Sequence, residues 1–220
     1  FNSEIIKTLY QQLKKLKIPI VVDPVIKSTT GGALIEKKAI KDFQKYIIPL
    51  ATVITPNRFE AEILSKSKVN SKNTIEKIAK NIQKMGAKNV MITGIEGKNN
   101  KITDFVLEKS KKYLISGDKI SNTNHGSGCN YSAAMIFAIS NKKTIHESVK
   151  FAKEFAQDSI KNSIKVGNGI KITNIQKKDT INLELSQSIN KFVKIKNIYK
   201  NIPECQTNFV YSKPKPKSTK

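Results

Sequence analysis

The first part of the chain combines a helical hydrophobic repeat with a short apolar run. Apolar residues recur at helical spacing over residues 1–17, which predicts a single amphipathic helix. The positions in this repeat are Ile5, Ile6, Leu9, Leu13 and Leu16. Residues 19–22 are then almost wholly apolar, and this run predicts a short buried strand that ends at Asp23.

The same alternation continues to residue 94. Helices are predicted where apolar residues lie three or four positions apart, and strands where short apolar runs end at proline, asparagine or glycine. In chain order, the predictions are a helix around residues 39–47, a strand at 52–54 stopped by Thr55-Pro56-Asn57, helices around 59–64 and 75–85, and a strand at 90–92 that ends at Thr93-Gly94.

The pattern changes in the second half of the chain. Residues 104–107 and 112–115 alternate between apolar and polar, which predicts a hairpin or a pair of later strands. Helices are predicted from residue 130 to 138 and from 145 to 164. Beyond about residue 175 a helix over 183–193 and a turn and strand over 202–211 read as part of a different unit, so we place a domain boundary near 175–182.

Short strands that alternate with helices predict an α/β domain with a mainly parallel central sheet. Ligands bind to such sheets beyond the carboxyl ends of the strands. Those ends carry Asp23, Asn57 and the pair Thr93-Gly94. We therefore expect these residues to contribute to a binding site.

The composition is strongly basic, with a formal net charge of +23 over 220 residues. One interpretation is a nucleic-acid-binding module. However, Arg58 is the only arginine, and the lysines are scattered without interleaved aromatic residues. We therefore favour a solvated lysine-rich surface, and attraction of a polyanionic small molecule such as a nucleotide is compatible with this interpretation. No apolar run is long enough for a membrane span, and the two cysteines, Cys129 and Cys205, indicate a cytoplasmic protein.

A glycine-rich turn precedes the helix predicted at 130–138. Its residues are Gly126, Ser127, Gly128 and Cys129. Glycines bring backbone N–H groups together, and a helix N-terminus adds partial positive charge, so the turn predicts an anion site with a thiol beside it. The helix end would also lower the pKa of that thiol, which could then act as a base or simply pack. A plain turn and helix cap is the alternative, and no Walker-type phosphate loop is present.

A second candidate follows the strand at 52–54. Asn57 and Glu60 have the spacing of a capping box, which would explain both residues without any function. The functional alternative is that they face the carboxyl edge of the sheet and hold a water bound to Mg²⁺. His125 and His146 lack other metal-ligating residues nearby in sequence, so we assign neither to a metal.

These residues together resemble the hydroxymethylpyrimidine/phosphomethylpyrimidine kinases of thiamine biosynthesis, within the ribokinase-like superfamily. The matches occur in family order over residues 1–174. They are the sequence from Val22 to Val25, residues 48–57, Glu60-Ala61-Glu62, Met85-Gly86-Ala87, the sequence from His125 to Cys129, and residues 166–169. Cysteine at position 129, where sugar kinases usually have an aspartate base, is typical of the pyrimidine kinases.

The resemblance implies a three-layer α/β/α fold and Mg²⁺-dependent transfer of the γ-phosphoryl group of ATP to a pyrimidine substrate. It implies that Cys129 is the catalytic base, and that the N–H groups of the anion hole come from Gly126, Ser127, Gly128 and Cys129. Asp23, Asn57, Glu60 and Thr93 would serve the ATP-phosphate side, with Glu60 and Asp23 near Mg²⁺. We also expect a homo-oligomer, and we do not expect nucleic acid as a partner.

The chain departs from the family in three places. Thr93 and Thr29 stand where the family usually has lysines, so a phosphate-binding cation is either missing or supplied by another lysine such as Lys27. The N-terminal part of the family's fold, including much of the pyrimidine pocket, is expected to precede Phe1.

The end of the chain carries a resemblance of its own. Residues 202–211 resemble the start of the thiamine-phosphate synthase domain that is fused to this kinase in many archaea. This assigns residues 1–174 to the C-terminal two thirds of a kinase domain and residues 175–220 to a linker and the start of a synthase domain. A pyridoxal- or pyridoxamine-type vitamin kinase remains the enzymatic alternative.

Overall fold

The computed structural model describes residues 1–28, 31–69, 72–97, 99–120, 124–166 and 168–175. Thr29 and the elements predicted over 183–193 and 202–211 lie outside the described residues. The proposed domain boundary therefore stays a prediction. Within the described part, no helix is long and apolar enough to cross a membrane.

The centre of the described structure is a five-stranded sheet in the order β1-β2-β3-β4-β5. Its first two pairings, β1–β2 and β2–β3, are parallel, and β3–β4 and β4–β5 are antiparallel. The parallel strands are those predicted from short apolar runs, and the antiparallel strands form the hairpin predicted from alternation. The bounds are β1 Val21–Val22, β2 Val53–Ile54, β3 Asn89–Glu96, β4 Lys101–Glu108 and β5 Lys111–Asp118.

Helices cover both faces of this sheet, which confirms the α/β architecture. Alternate residues of each strand point to opposite faces. Ile54, Ile92 and Phe105 pack into one core, whereas Val53, Met91 and Val106 pack into the other. The first core includes residues of α1 Ser3–Leu13, α3 Arg58–Ser65 and α4 Lys72–Lys84, and the second includes residues of α5 Ser127–Ser140 and α6 Ile145–Lys161.

The predicted second helix is a composite segment. It passes from a 3-10 turn into α2 Ile40–Asp42, then a π-type turn and a second 3-10 turn. The turns on either side of α2 are Lys37–Ala39, Phe43–Ile47 and Ile48–Leu50. Pro49 near the start of the last turn is compatible with its backbone because the first residues of a helical turn need no internal N–H donor.

Two predicted boundaries were wrong. The first helix ends at Leu13 rather than near residue 17, and Leu16 and Ile18 are exposed, so burial does not extend the helix toward Pro19. The third strand does not end at Thr93-Gly94 but runs on to Glu96. Its register shifts between Ile92 and Ile95, so the strand accommodates these two residues in a bulge.

A two-stranded parallel sheet that the hydrophobic pattern did not predict lies apart from the main sheet. It pairs β6 Asn124–His125 with β7 Lys171–Ile172. Each strand is too short to show an alternating pattern in the sequence. Its importance is positional, because β6 leads directly into the glycine-rich turn before α5.

Candidate active site

The glycine-rich turn forms the N-terminus of α5, as predicted. Gly126 is the N-cap residue, with a φ of 97°, and it provides no side-chain cap. The Gly126 carbonyl oxygen accepts the Asn130 N–H at 2.9 Å, which closes the first helical turn. The N–H groups of Ser127, Gly128 and Cys129 belong to that turn and have no partner within the helix. Such N–H groups at a helix N-terminus are the donors that the predicted anion site requires.

Thr173 holds this turn in place, and sequence reasoning missed it. Its N–H donates to the His125 carbonyl oxygen at 2.9 Å, and its Oγ1 accepts from Asn130 Nδ2 at 3.0 Å. A Cβ added at Gly126 would lie 2.7 Å from Thr173 Oγ1. Glycine is thus required at position 126 both by the left-handed backbone and by the close approach of β7.

Hydroxyl groups link the strand ends to α5. Thr55, which follows β2, lies 3.2 Å from Ser132 through their hydroxyl oxygens, and the Ser132 hydroxyl donates to the Gly128 carbonyl oxygen at 3.1 Å. A Cβ at Gly128 would lie 3.5 Å from Asp23 Oδ2. Asp23 therefore lies immediately beside the glycine-rich turn, as the topology of a parallel sheet predicts.

The predicted capping box at α3 is present. Asn57 Oδ1 accepts the Glu60 N–H at 3.0 Å, and Glu60 Oε2 accepts the Asn57 N–H at 2.9 Å. Glu60 Oε1 also accepts the Ile26 N–H at 3.4 Å, and the residue is only 4% exposed. Asn57 further forms a parallel bridge with Thr93. Both carboxylate oxygens of Glu60 thus fix the loop after β1 and the start of α3.

Burial perturbs both carboxylates. Desolvation raises the pKa of Asp23 to about 6, against a smaller lowering by the Ser132 hydroxyl. Desolvation also raises the pKa of Glu60 to about 7, and the negative charge of Asp23 adds to this effect. Paired, partly desolvated carboxylates with pKa values near neutrality are typical of functional sites. A cation placed between them would relieve both unfavourable effects.

The prediction for Cys129 was wrong in one respect. The residue is exposed, and we expected the helix end to lower the pKa of its thiol. Instead, desolvation of the sulfur raises this pKa, and the Asp23 carboxylate raises it further. The Cys129 thiol therefore carries its proton at neutral pH.

An open cleft of about 380 Å³ lies beside these groups. Of the residues predicted for the site, Asn57, Thr93, Ser127 and Gly128 line it. Asp23 and Glu60 lie next to lining residues, since Asp23 is close to Gly128 and Glu60 caps Asn57. Gly126 and Cys129 flank Ser127 and Gly128 in the turn. The cleft therefore brings together the strand ends and the glycine-rich turn.

One wall of the cleft contains a buried polar cluster that sequence reasoning missed. It consists of Asp104 on β4, Tyr131 on α5 and Lys153 on α6. Lys153 occurs at an inward-facing position of an amphipathic helix, where a charged residue is rare. A lysine at such a position was the available signal, but 40 basic residues in the chain conceal it.

Lysines near the cleft differ in their surroundings. Lys27 lies with its Nζ 5.0 Å above the Phe59 ring and does not line the cleft. Lys119 lines the cleft and pairs with Glu96 on the exposed edge. The role of Lys27 as a substitute for the lysines that the family usually has at positions 93 and 29 stays a prediction.

The donor set fits a metal only in part. Among the residues that the structure describes, no group of three acidic, histidine or cysteine side chains converges on one point. Asp23 and Glu60 offer two carboxylates with raised pKa values, and Glu60 already binds two backbone N–H groups. This arrangement suits Mg²⁺ that arrives with phosphate oxygens and waters as its main ligands.

Solved structures that are similar to this chain include kinases of small molecules. The pyridoxal kinase of Staphylococcus aureus in complex with pyridoxal has a TM-score of 0.70 and 32% identity, covering 78% of this chain and 63% of that one. A phosphomethylpyrimidine kinase from Clostridium difficile has a TM-score of 0.60 and 29% identity, covering 72% and 64%. The fold therefore places the chain in a class of α/β proteins that includes pyridoxal and phosphomethylpyrimidine kinases.

Sequence comparison identifies the family. Residues 1–174 match the phosphomethylpyrimidine kinase family model, and the chain belongs to this family. The hydroxymethylpyrimidine/phosphomethylpyrimidine kinase of Aquifex aeolicus is 35% identical over 173 residues, which cover 78% of this chain and 68% of that protein. The Haemophilus influenzae protein of the same name is 32% identical, with 79% and 66% covered. The chain thus spans about two thirds of the length of these relatives.

Proposed function

We propose that this chain forms the larger part of a kinase that transfers the γ-phosphoryl group of ATP to hydroxymethylpyrimidine and to its monophosphate. The observation that carries the proposal is one cleft lined by Asn57, Thr93 and the glycine-rich turn, with Asp23 and Glu60 next to lining residues, in a chain that belongs to the pyrimidine kinase family. Several relatives are hydroxymethylpyrimidine/phosphomethylpyrimidine kinases by name.

The chemistry of phosphoryl transfer suits this arrangement. Such reactions depend mainly on positioning and on stabilisation of charge on the transferred group. The N–H groups at the start of α5 would hold oxygens of the phosphoryl group, and Asn57 and Thr93 would face the nucleotide phosphates from the opposite wall. Asp23 and Glu60 would hold Mg²⁺, which neutralises phosphate charge when it is bound.

Cys129 is the proposed proton acceptor for the substrate hydroxyl. Its place on the first turn of α5 puts the sulfur beside the anion hole and near the Asp23 carboxylate. Because its pKa is raised, only a small fraction is thiolate at neutral pH. We therefore expect the rate of transfer to increase with pH if the thiolate is the base.

Residues 175–220 are proposed to be a linker and the start of a thiamine-phosphate synthase domain. The support is the resemblance of residues 202–211 and a match to a bifunctional protein. The thiamine biosynthesis bifunctional protein ThiED of Geobacter sulfurreducens is 25% identical over 171 residues, which cover 77% of this chain and 35% of that protein. Synthase activity in the full-length natural protein, lost on truncation after residue 175, would support this assignment.

Pyridoxal is the second candidate substrate. The observation that favours it is that a pyridoxal kinase structure superposes with a TM-score of 0.70, against 0.60 for a phosphomethylpyrimidine kinase. Pyridoxal and hydroxymethylpyrimidine are both flat heteroaromatic rings that carry a hydroxymethyl group. One kinase cleft could therefore accept either ring.

The test is an ATP-dependent phosphorylation assay on the full-length natural protein. Hydroxymethylpyrimidine, its monophosphate and pyridoxal are supplied separately and then in competition. We expect turnover of both pyrimidines, with pyridoxal a weaker substrate. No turnover of either pyrimidine by folded protein would overturn the proposal, and turnover of pyridoxal alone would establish the second candidate.

A further inference from the structure

Three buried polar side chains from three different elements meet at one wall of the cleft. Lys153 Nζ lies 2.9 Å from Asp104 Oδ2, and the Tyr131 hydroxyl lies 3.0 Å from the same oxygen. Their exposed fractions are 5% for Lys153, 2% for Asp104 and 8% for Tyr131. The cluster thus joins β4, α5 and α6 at a single carboxylate oxygen.

The other oxygen of Asp104 holds the bulge in β3. Asp104 Oδ1 accepts the Gly94 N–H at 3.1 Å. The register passes from Ile92 opposite Phe105 to Ile95 opposite Thr103, so Thr93 and Gly94 together lie opposite Asp104. Bulges of this kind redirect the strand and its side chains. Gly94, with a φ of 73°, provides the left-handed residue that the bulge requires.

The bulge faces the nucleotide side of the cleft. Thr93 and Gly94 both line the cleft, and the Thr93 N–H donates to the Pro56 carbonyl oxygen at 2.9 Å. Thr93 also bridges to Asn57 at the start of α3. The position of the bulge therefore determines where the backbone beyond β3 meets the residues that follow β2.

Tyr131 connects the cluster to α5, the helix that begins at the glycine-rich turn. It lies two residues after Cys129 on α5, and its hydroxyl is also 3.2 Å from the Val149 carbonyl oxygen on α6. Asp104 accordingly contacts the bulge through one oxygen and the helix that begins with the anion turn through the other. The two walls that would contact phosphate groups are thereby fixed to one side chain.

A buried ion pair is a poor device for stability alone. Removing both charges from water costs free energy that their attraction offsets only partly, and well-packed apolar pairs often stabilise a fold as well or better. The value of such a pair is more often that it specifies one arrangement of the groups around it. Here those groups are the bulge in β3 and the start of α5.

We propose that Asp104, with Lys153 and Tyr131 as its partners, is a positioning residue that fixes the β3 bulge against the N-terminus of α5 for nucleotide phosphates. The inference rests on the proposed function in that the cleft is taken to bind ATP. Lys153 neutralises the Asp104 charge, and Tyr131 orients the shared oxygen. The Asp104 oxygen on Gly94 then sets the geometry of the phosphate-facing backbone.

Two double variants of the full-length protein separate positioning from folding. Asp104→Leu with Lys153→Met removes both charges and the acceptor for Gly94, while it keeps both side-chain shapes close to the originals. Asp104→Asn with Lys153→Met also removes both charges, but its amide oxygen can still accept the Gly94 N–H. Neither variant leaves an unpaired buried charge, so both are expected to fold.

The readouts are the melting temperature, the affinity for ADP measured by calorimetry, and kcat/KM for ATP. We expect the Leu/Met variant to bind ADP roughly tenfold more weakly, the effect of about one hydrogen bond. Misplacement of the phosphate-facing backbone is expected to lower its kcat/KM by about 100-fold. The Asn/Met variant should retain both values within about threefold. Similar melting temperatures for the two variants would exclude a difference in folding.

Wild-type ADP affinity in the Leu/Met variant, or equal losses in the two variants, would overturn the proposal. The ADP measurement also separates it from the proposed function. A wild-type protein that binds ADP but phosphorylates neither pyrimidine overturns the function and leaves the variant comparison decisive for positioning. A wild-type protein that does not bind ADP at all overturns the positioning role as well.

Discussion

Asn57 and Glu60 cap each other: Asn57 Oδ1 accepts the Glu60 N–H at 3.0 Å, and Glu60 Oε2 accepts the Asn57 N–H at 2.9 Å. The same Glu60 carboxylate is buried, bonded to the Ile26 N–H and close enough to Asp23 for their charges to interact. Its contacts establish the cap, whereas a role for the Glu60 charge at Mg²⁺ and phosphate stays a prediction. The two roles can be separated by substitution.

Glu60→Gln should retain the cap but remove the charge. An amide oxygen can still accept the Asn57 N–H, and the ionised carboxylate is disfavoured by its burial, so we expect this variant to be at least as stable as wild type at pH 8. Glu60→Ala loses the Glu60 half of the capping box, while Asn57 can still accept the N–H of residue 60, and it should be about 1–2 kcal/mol less stable. Denaturant unfolding measures the difference.

The activities of these two variants test the metal-side role. If Glu60 serves Mg²⁺ and phosphate through its charge, both variants should lose about 100-fold or more in kcat/KM for ATP. A fully active Glu60→Gln would show that position 60 is only a cap.

The contribution of the buried Asp23 and Glu60 to stability should fall as pH rises through the weakly acidic range. Both carboxyls have folded-state pKa values above their ordinary values of 3.8 and 4.5, at about 6 and about 7. Between its ordinary and its folded-state pKa, each carboxyl binds more protons in the folded state than in the unfolded state. The contribution of the two carboxyls to stability is therefore full below about pH 4 and is lost as pH rises to about 7.

The free energy of unfolding, measured from pH 4 to 8, checks this prediction. Glu60→Gln should flatten the decline between pH 4.5 and 7. Glu62→Gln is the matched control on the same helix. The Val69 N–H lowers the pKa of Glu62, so the wild-type residue contributes stability above its unfolded pKa that is lost as pH falls. A decline of equal size in wild type and Glu60→Gln would contradict the assignment.

The raised pKa of the Cys129 thiol should depend on Asp23. Desolvation is the larger cause and the Asp23 charge the second, so Asp23→Asn should lower this pKa without restoring an ordinary value. The rate of iodoacetamide alkylation as a function of pH reports the thiolate fraction, in a Cys205→Ser background that removes the second thiol.

Asp118→Asn is the control for this titration. Asp118 is an exposed carboxylate that also lines the cleft, but it is paired with Lys101. Its substitution should leave the alkylation profile of Cys129 unchanged. An equal shift in both variants would indicate a general effect of net charge rather than the proximity of Asp23.

The sequence predicted the positions of the candidate site residues better than those of the elements around them. Asp23, Asn57 and the glycine-rich turn could be placed because each follows a recognisable apolar run or precedes a helix, and because parallel strands end at one edge. The β3 bulge and the β6–β7 pair could not, since each depends on contacts distant in sequence, such as Gly94 with Asp104 and Asn124 with Lys171. The raised thiol pKa was missed for the same reason, because it arises from burial and from Asp23.

Gly126 and Gly128, the two glycines of the glycine-rich turn, should differ in their tolerance to substitution. Gly126 has a φ of 97° and approaches Thr173 too closely for a Cβ, whereas a Cβ at Gly128 would meet Asp23 at an ordinary 3.5 Å. Gly126→Ala should therefore destabilise the protein by about 1–2 kcal/mol for the left-handed backbone alone. Gly128→Ala should change stability by less than about 0.5 kcal/mol.

Activity should show a different order from stability. The methyl group that Gly128→Ala adds would lie next to Asp23 at the edge of the cleft, where the phosphoryl group is proposed to bind. Gly128→Ala should thus lower kcat/KM while its melting temperature stays close to that of wild type. If Gly128→Ala is fully active, the first turn of α5 does not contact the transferred group. If it is as unstable as Gly126→Ala, the difference in backbone geometry between the two glycines does not govern their tolerance.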